Sequence, residues 1–239
     1  MELKDFSNNF DLLLNSYATS ASFGSTDNSG SIELDEFEKS QFLTNAQEKI
    51  VEGLYNGRNP WGESFEETEE LRRYLGSLVK DAKLSPLTTS SGAVLGVDSK
   101  SKFFTLPEDL WFITYESVDI SREGCEGNNT LEVYPVRQDE YHKIKKNPFR
   151  GANNRRALRL DLSENNVEIV CKFQVDKYYV RYLRRLKPII LTNLGDENSI
   201  QGYNTPQECE VHESLHQKIL ELAVQMAIQS RGYSINRDK

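Results

Sequence analysis

Residues 157–173 read "ALRLDLSENNVEIVCKF", and this stretch decides the fold class. Leu158, Leu160 and Leu162 alternate with polar residues, "SENN" supplies a turn, and Val167, Ile169 and Cys171 alternate again. A period of two puts every second side chain on one face of an extended chain, so the stretch predicts a β-hairpin. Other extended segments surround it. "DLWFITYESVDI" (109–120) sets Trp111, Ile113 and Tyr115 on one face. "TLEVYPVR" (130–137) is a strand whose Pro135 places it at an edge or end, and "KYYVRYLRRLKPIIL" (177–191) is a further strand ending near Pro188.

Outside this β-rich middle the apolar period lengthens. Phe6, Phe10, Leu13, Leu14 and Tyr17 predict a helix over 3–17, and "ATSASFGSTDNSGS" (18–31) predicts a flexible loop. Phe37, Leu43, Ala46, Ile50 and Leu54 predict a second helix from Leu34 to Asn56, ended by "GRNPWG". Ser64 and Glu67 spell a capping box that opens a third helix with the stripe Leu71, Tyr74, Leu75, Leu78 and Val79. A last helix is expected from about Glu208 to Ser230. The resulting class is α+β: a helical bundle, a mostly antiparallel sheet portion and a C-terminal helix. The expected partition is 1–84 helical, 85–200 β-rich, 201–230 a helix packing back on the helical region, and 231–239 a polar tail.

A formal net charge of -8 argues against a nucleic-acid coat as the role of the whole molecule. No apolar run is long enough for a membrane span, and the N-terminal stretch lacks the basic flank and apolar core of a secretory signal. Cys125, Cys171 and Cys209 form no close pair, which fits a reducing compartment without a disulfide frame. Charge is segregated along the chain. Residues 1–81 hold 16 acids and 7 bases, whereas residues 137–187 hold 14 bases and 6 acids. Either these are two solvated faces, or the basic face of one copy meets the acidic face of the next, a head-to-tail contact that closes into a ring.

The most chemical-looking string is "HESLH" (212–216). On one helix His212 and His216 would face the same way and bind zinc, with Glu213 as general base of a metallopeptidase. Such a site needs a third ligand. After Glu221 no glutamate remains, and His142 sits in a basic loop far away in sequence. Leu215, Ile219, Leu222 and Met226 instead form a core stripe that the two histidines edge. No catalytic, metal or cofactor site is expected.

Two basic tracts remain. "YLRRLKP" (182–188), with Lys177 and Arg181, could bind phosphates while its tyrosines stack on bases, or it could face solvent or an acidic neighbour. "NPFRGANNRR" (147–156) is an amide-rich basic loop of the kind that binds anions or docks on a partner. Arg150, Arg155, Arg156, Arg181, Arg184, Arg185 and Lys187 are therefore the candidate contact residues.

Three stretches carry a family resemblance. These are "LDEFEKSQFLTNAQEKIVEGLYNG" (34–57), preceded by "FDLLLNSYAT"; "YYVRYLRRLKPIILTNL" (178–194); and "CEVHESLHQKILELAVQMA" (209–227). Together they resemble virion structural proteins of the crAss-like tailed phages. The resemblance implies a non-enzymatic adaptor, neck or ring protein of the portal–tail connector, present as a ring of about twelve copies. Its implied partners are itself, the portal protein, other connector or tail rings, and packaged DNA sliding past an acidic surface without sequence-specific binding. It implies a place in the virion, with assembly in the host cytoplasm and no membrane partner.

Overall fold

The computed structural model of the chain describes residues 1–21, 33–58, 65, 67–87, 101–121, 129–162, 165–195 and 197–230. Most of the expected 18–31 loop, Ser64 of the expected capping box, Cys125, the first half of the "SENN" turn and the 231–239 tail lie outside these residues. Two compact units emerge: residues 1–78 with 186–239, and residues 79–185.

The first unit is helical. α1 (Leu3–Ala21) runs past the expected end at Tyr17 and buries Phe6, Phe10 and Leu14. α2 (Glu36–Tyr55) starts at a capping box. Asp35 accepts from the Glu38 N–H at 2.7 Å, and the Glu38 side chain accepts from the Asp35 N–H. Gly57 follows in the left-handed conformation, φ 69, which ends the helix. α3 (Glu69–Leu75) is capped by the Thr68 side chain and passes into a 3-10 turn, Gly76–Leu78. The helix expected to reach Val79 thus stops short, because Val79 already belongs to a strand that the sequence reading missed. α5 (His216–Ser230) packs on α1 and α2. Its buried apolar residues are Ile219, Leu220, Ala223, Val224, Ala227 and Ile228, while Leu222 and Met226 are half-buried. The stripe is wider than expected because two helices, not one, cover α5.

Among the described residues the second unit is a seven-stranded sheet: β1 (Val79–Leu84), β2 (Lys102–Thr105), β3 (Leu110–Ser121), β4 (Thr130–Pro135), β5 (Arg156–Asp161), β6 (Asn166–Val170) and β7 (Gln174–Arg184). The spatial order is β1-β7-β3-β4-β5-β6-β2. Every pair is antiparallel except β4–β5, and a parallel neighbour requires a crossover. That crossover is α4 (Tyr141–Lys145) and the loop after it. The predicted hairpin is β5–β6, with Leu158 opposite Val170 and Asp161 opposite Val167, and Asn165 takes φ 58 in its turn.

The sheet curls until its ends approach each other. The Leu87 N–H donates to the Phe103 carbonyl at 2.8 Å, and the Phe104 ring on β2 lies 5.3 Å from Tyr178 on β7. The inner face is a core of Phe104, Val118, Ile120, Leu131, Val133, Ala157, Val167, Ile169, Val180 and their neighbours. Leu158, Leu160 and Val170 point outward and are buried under Tyr141 of α4. The hairpin is therefore buried on both faces, not on one.

Inside the curl lies an ion pair. Glu116 on β3 bonds to Arg159 on β5 and accepts from the Tyr178 hydroxyl at 2.5 Å; Arg159 Nε also lies 2.8 Å from the Asp161 carboxylate. Burial pushes the Glu116 carboxyl above its usual range, against the pull of Arg159 and Tyr178. Burial, with the Glu116 charge, raises the Tyr178 phenol, so it stays a donor. Removing one partner from such a pair strands the other charge. Arg159→Met is expected to lower the unfolding free energy in urea by about 3–5 kcal/mol, and adding Glu116→Gln should recover most of that loss.

Candidate assembly surfaces

The three stretches that carried the resemblance all contribute to the helical unit, the second of them through residues 186–194. β7 ends at Arg184, and residues 187–191 leave the sheet to lie along α2. Three polar side chains on the buried face of α2, at spacings of four and three residues, receive this backbone. Gln47 Nε2 donates to the Lys187 carbonyl at 2.9 Å. Thr44 Oγ1 accepts from the Ile189 N–H at 3.1 Å and donates to its carbonyl at 3.4 Å. Ser40 Oγ accepts from the Leu191 N–H at 3.0 Å. The alternate residue, Ile190, exchanges two 3.1 Å bonds with Gln207. Pro188 has no N–H to satisfy, so it fits the one position that needs no acceptor. Cys209 closes the group by donating to Gln47 Oε1 at 3.2 Å, and burial pushes its thiol up to about 11.

"HESLH" is not one helix. His212 is exposed, and its ring accepts from the Ser214 N–H at 3.3 Å; Glu213–Leu215 form a 3-10 turn, and α5 begins only at His216. This corrects the helix start expected near Glu208. His216 is buried with both ring nitrogens engaged. Nε2 lies 3.0 Å from the Val211 carbonyl, which can only accept, so Nε2 carries the proton and Nδ1 accepts from the Met1 amino group at 2.9 Å. Zinc at His216 would have to break one of these bonds. Burial lowers the His216 pKa below its ordinary value, keeping the ring neutral.

The seven candidate cations do not form one cluster. Lys187 belongs to the helical unit, where its N–H donates to Glu210 at 3.2 Å and its Nζ lies 3.8 Å from the same carboxylate. Arg181 stands exposed on β7, opposite Asp81 of β1 and Tyr115 of β3 in the sheet register. Arg184 is half-buried and donates to the Arg185 carbonyl at 3.2 Å; Arg185 is exposed at the strand's end. Tyr178 and Tyr182 face the buried interior, which removes them from the base-stacking role considered for this tract.

Arg150, Arg155 and Arg156 do share a built loop. Asn147 Oδ1 accepts from the Phe149 and Arg150 N–H groups at 2.9 and 3.2 Å, and Asn153 Oδ1 accepts from the Arg155 N–H at 2.8 Å. Gly151 is buried, and a Cβ there would meet the Asn147 carbonyl at 2.9 Å. The Arg156 guanidinium lies 3.9 Å from the Tyr134 ring centroid and donates to the Phe149 carbonyl at 3.4 Å. Held this way, Phe149 projects with 84% of its surface exposed. The sequence reading quoted this loop without singling out Phe149; an aromatic beside proline and amid asparagines was the available signal.

The whole chain, residues 1–239, matches the family model described as phage tail ring protein 3/4. Ring protein 3 of Bacteroides phage crAss001 is 47% identical over 234 residues, covering 97% of this chain and 96% of the relative. Ring protein 4/5 of the same phage is 29% identical over 236 residues, covering 95% and 92%.

Two outcomes are expected from this geometry. Thr44→Val keeps the shape but strands the Ile189 N–H, and should lower stability by about 1–3 kcal/mol in a denaturant titration. The depressed His216 pKa means the unfolded chain takes up its proton first on acidification. His216 should therefore contribute stability above pH 6.5 that is lost as pH falls through its lowered folded value, and His216→Gln should flatten that part of a thermal-melt pH profile.

Proposed function

The chain belongs to the phage tail ring protein 3/4 family, a structural ring protein of the crAss-like phages, and on that premise we propose that its ring is a tier of the portal–tail connector. The supporting observation is the length of the match: the family model spans residues 1–239, and ring protein 3 of crAss001 aligns with 97% of the chain. A ring of about twelve copies, stacked between the portal and the tail, would complete the packaged head and surround the DNA exit path. One phage carries two relatives of this chain under separate ring names, which supports tiers built from related subunits.

Electrostatics support the same reading. The helical unit holds 11 Lys and Arg against 22 Asp and Glu, while the sheet unit holds 18 against 15. Subunits polarised in this way attract head to tail, and a repeated rotation of such contacts closes a ring. An acidic unit lining the channel would let DNA pass, because its surplus of carboxylates repels the phosphates. Arg150, Arg155, Arg156, Arg181, Arg184, Arg185 and Lys187 are proposed as subunit, portal or tail contacts.

Cryo-electron microscopy of purified virions is expected to show density for this chain as a closed ring at the portal vertex, and antibody-gold should label that vertex alone. Labelling spread over the capsid faces, or absence of the protein from gradient-purified virions, would overturn the reading.

A further inference from the structure

Residues 141–156, "YHKIKKNPFRGANNRR", carry six Lys and Arg and no Asp or Glu. They form α4 and the loop of the β4–β5 crossover, and they roof a cavity of about 490 Å³ on the outer face of the sheet. Tyr141, Ala152, Leu158, Val170 and Phe173 give that cavity apolar walls. Lys145 and Lys172 stand at it, both exposed, with Lys145 Nζ 5.7 Å from the Tyr141 ring. Phe149 projects from the same loop. An apolar pocket with a cationic rim and an aromatic beside it suits an apolar side chain carried on an acidic surface.

The chain itself offers that surface. Among the described large hydrophobic residues, Leu12 on α1 is second in exposure only to Phe149, at 67%. Asp5 is exposed on the same helix, one heptad before Leu12 and so on the same face. The acidic start of α2 lies alongside: Ser7 donates to Glu36 at 2.8 Å, and Asp11 and Glu36 share Lys39 at 2.7 and 2.9 Å. On α1 and at the start of α2, then, Asp5, Asp11, Asp35, Glu36 and Glu38 outnumber Lys4 and Lys39.

We propose that the pocket under the 147–156 loop receives Leu12 of a second copy, with that copy's acidic α1–α2 junction facing Lys145, Arg150, Arg155 and Lys172. The inference rests on the ring reading and deepens it, because it assigns the two faces of the subunit contact. The pocket and Leu12 are unlike surfaces, so the contact can repeat head to tail from copy to copy, as a ring requires. A nucleic-acid strand is the competing occupant of a basic, aromatic-bearing surface. It is disfavoured because the pocket walls are apolar and the whole chain is acidic.

The test is site-specific photo-crosslinking in assembled virions, with a photoreactive phenylalanine analogue at position 149. The expected product is an adduct of twice the chain mass whose cross-linked peptide falls within residues 1–21. Leu12→Asp should cut its yield by about tenfold or more, since a charge buried in the contact costs at least 1.4 kcal/mol. Leu12 is exposed, so circular dichroism of the purified variant should be unchanged. An adduct to DNA, to another virion protein or to a different part of the chain would overturn the proposal, as would no adduct from virions that contain the protein. The amount of protein in the virions is measured in the same samples and tests the ring reading separately.

Discussion

A short run of backbone, residues 187–191, sets the terms for the helical unit. It leaves the sheet after β7 and is buried against α2, where no neighbouring strand satisfies both sides of it. Buried N–H and carbonyl groups must be paired or they cost as much as a lost hydrogen bond each. Ser40, Thr44 and Gln47 answer that demand along one side, and Gln207 along the other. Polar side chains on the buried face of α2 are thus not defects in an apolar stripe. They fix the register of the segment, because a slip that brought Pro188 to Thr44 would offer it no N–H, and one that brought Ile190 there would take Ile190 from Gln207.

The sheet unit answers a different constraint. Curling seven strands around one core leaves an interior lined by apolar residues from β2, β3, β4, β5, β6 and β7. Glu116 and Arg159 sit in that interior on strands separated by β4, with Tyr178 of β7 completing the set. Apolar contacts tolerate several registers, whereas a buried ion pair tolerates one, since any shift leaves a charge alone in a poorly solvating environment. The parallel β4–β5 pair then forces a crossover onto the outer face. That crossover places α4 over Leu158, Leu160 and Val170 and presents the basic loop to solvent.

Legibility in the sequence followed the range of the interactions involved. The β5–β6 hairpin, β3, β4 and the cores of α1 and α2 were readable because their signals are local: alternation, helical spacing, a turn. The Asp35–Glu38 capping box was equally readable and was overlooked in favour of Ser64 and Glu67. β1 was missed because "VKDAKL" alternates only weakly and follows a helical stripe without a break. The end of β7 was misplaced because Ile189 and Ile190 are as β-prone as the strand before them; only the tertiary partner, α2, distinguishes the two. "HESLH" misled for a related reason. Its chemistry depends on a helix beginning before His212, and the helix begins at His216 because that ring takes the Val211 carbonyl. Among the candidate contact residues, only Arg150, Arg155 and Arg156 share a loop, while Arg181 lies on β7 in the sheet unit and Lys187, six residues on, in the helical unit.

Charge asymmetry matters to assembly through the faces in contact, not through totals. At physiological salt the screening length is about 8 Å, so most of the surplus acid on the helical unit is invisible to a neighbour beyond the interface. What a second copy meets is local: an acid-free run of six cations over 141–156, or the α1–α2 junction with five acids and two lysines. A two-fold contact through either patch would set like charges against each other at close range, where screening does least. A head-to-tail contact sets them in register. The same local charges that keep each patch from meeting its own likeness therefore favour contact between unlike patches, and such contacts repeated with a fixed rotation make a ring.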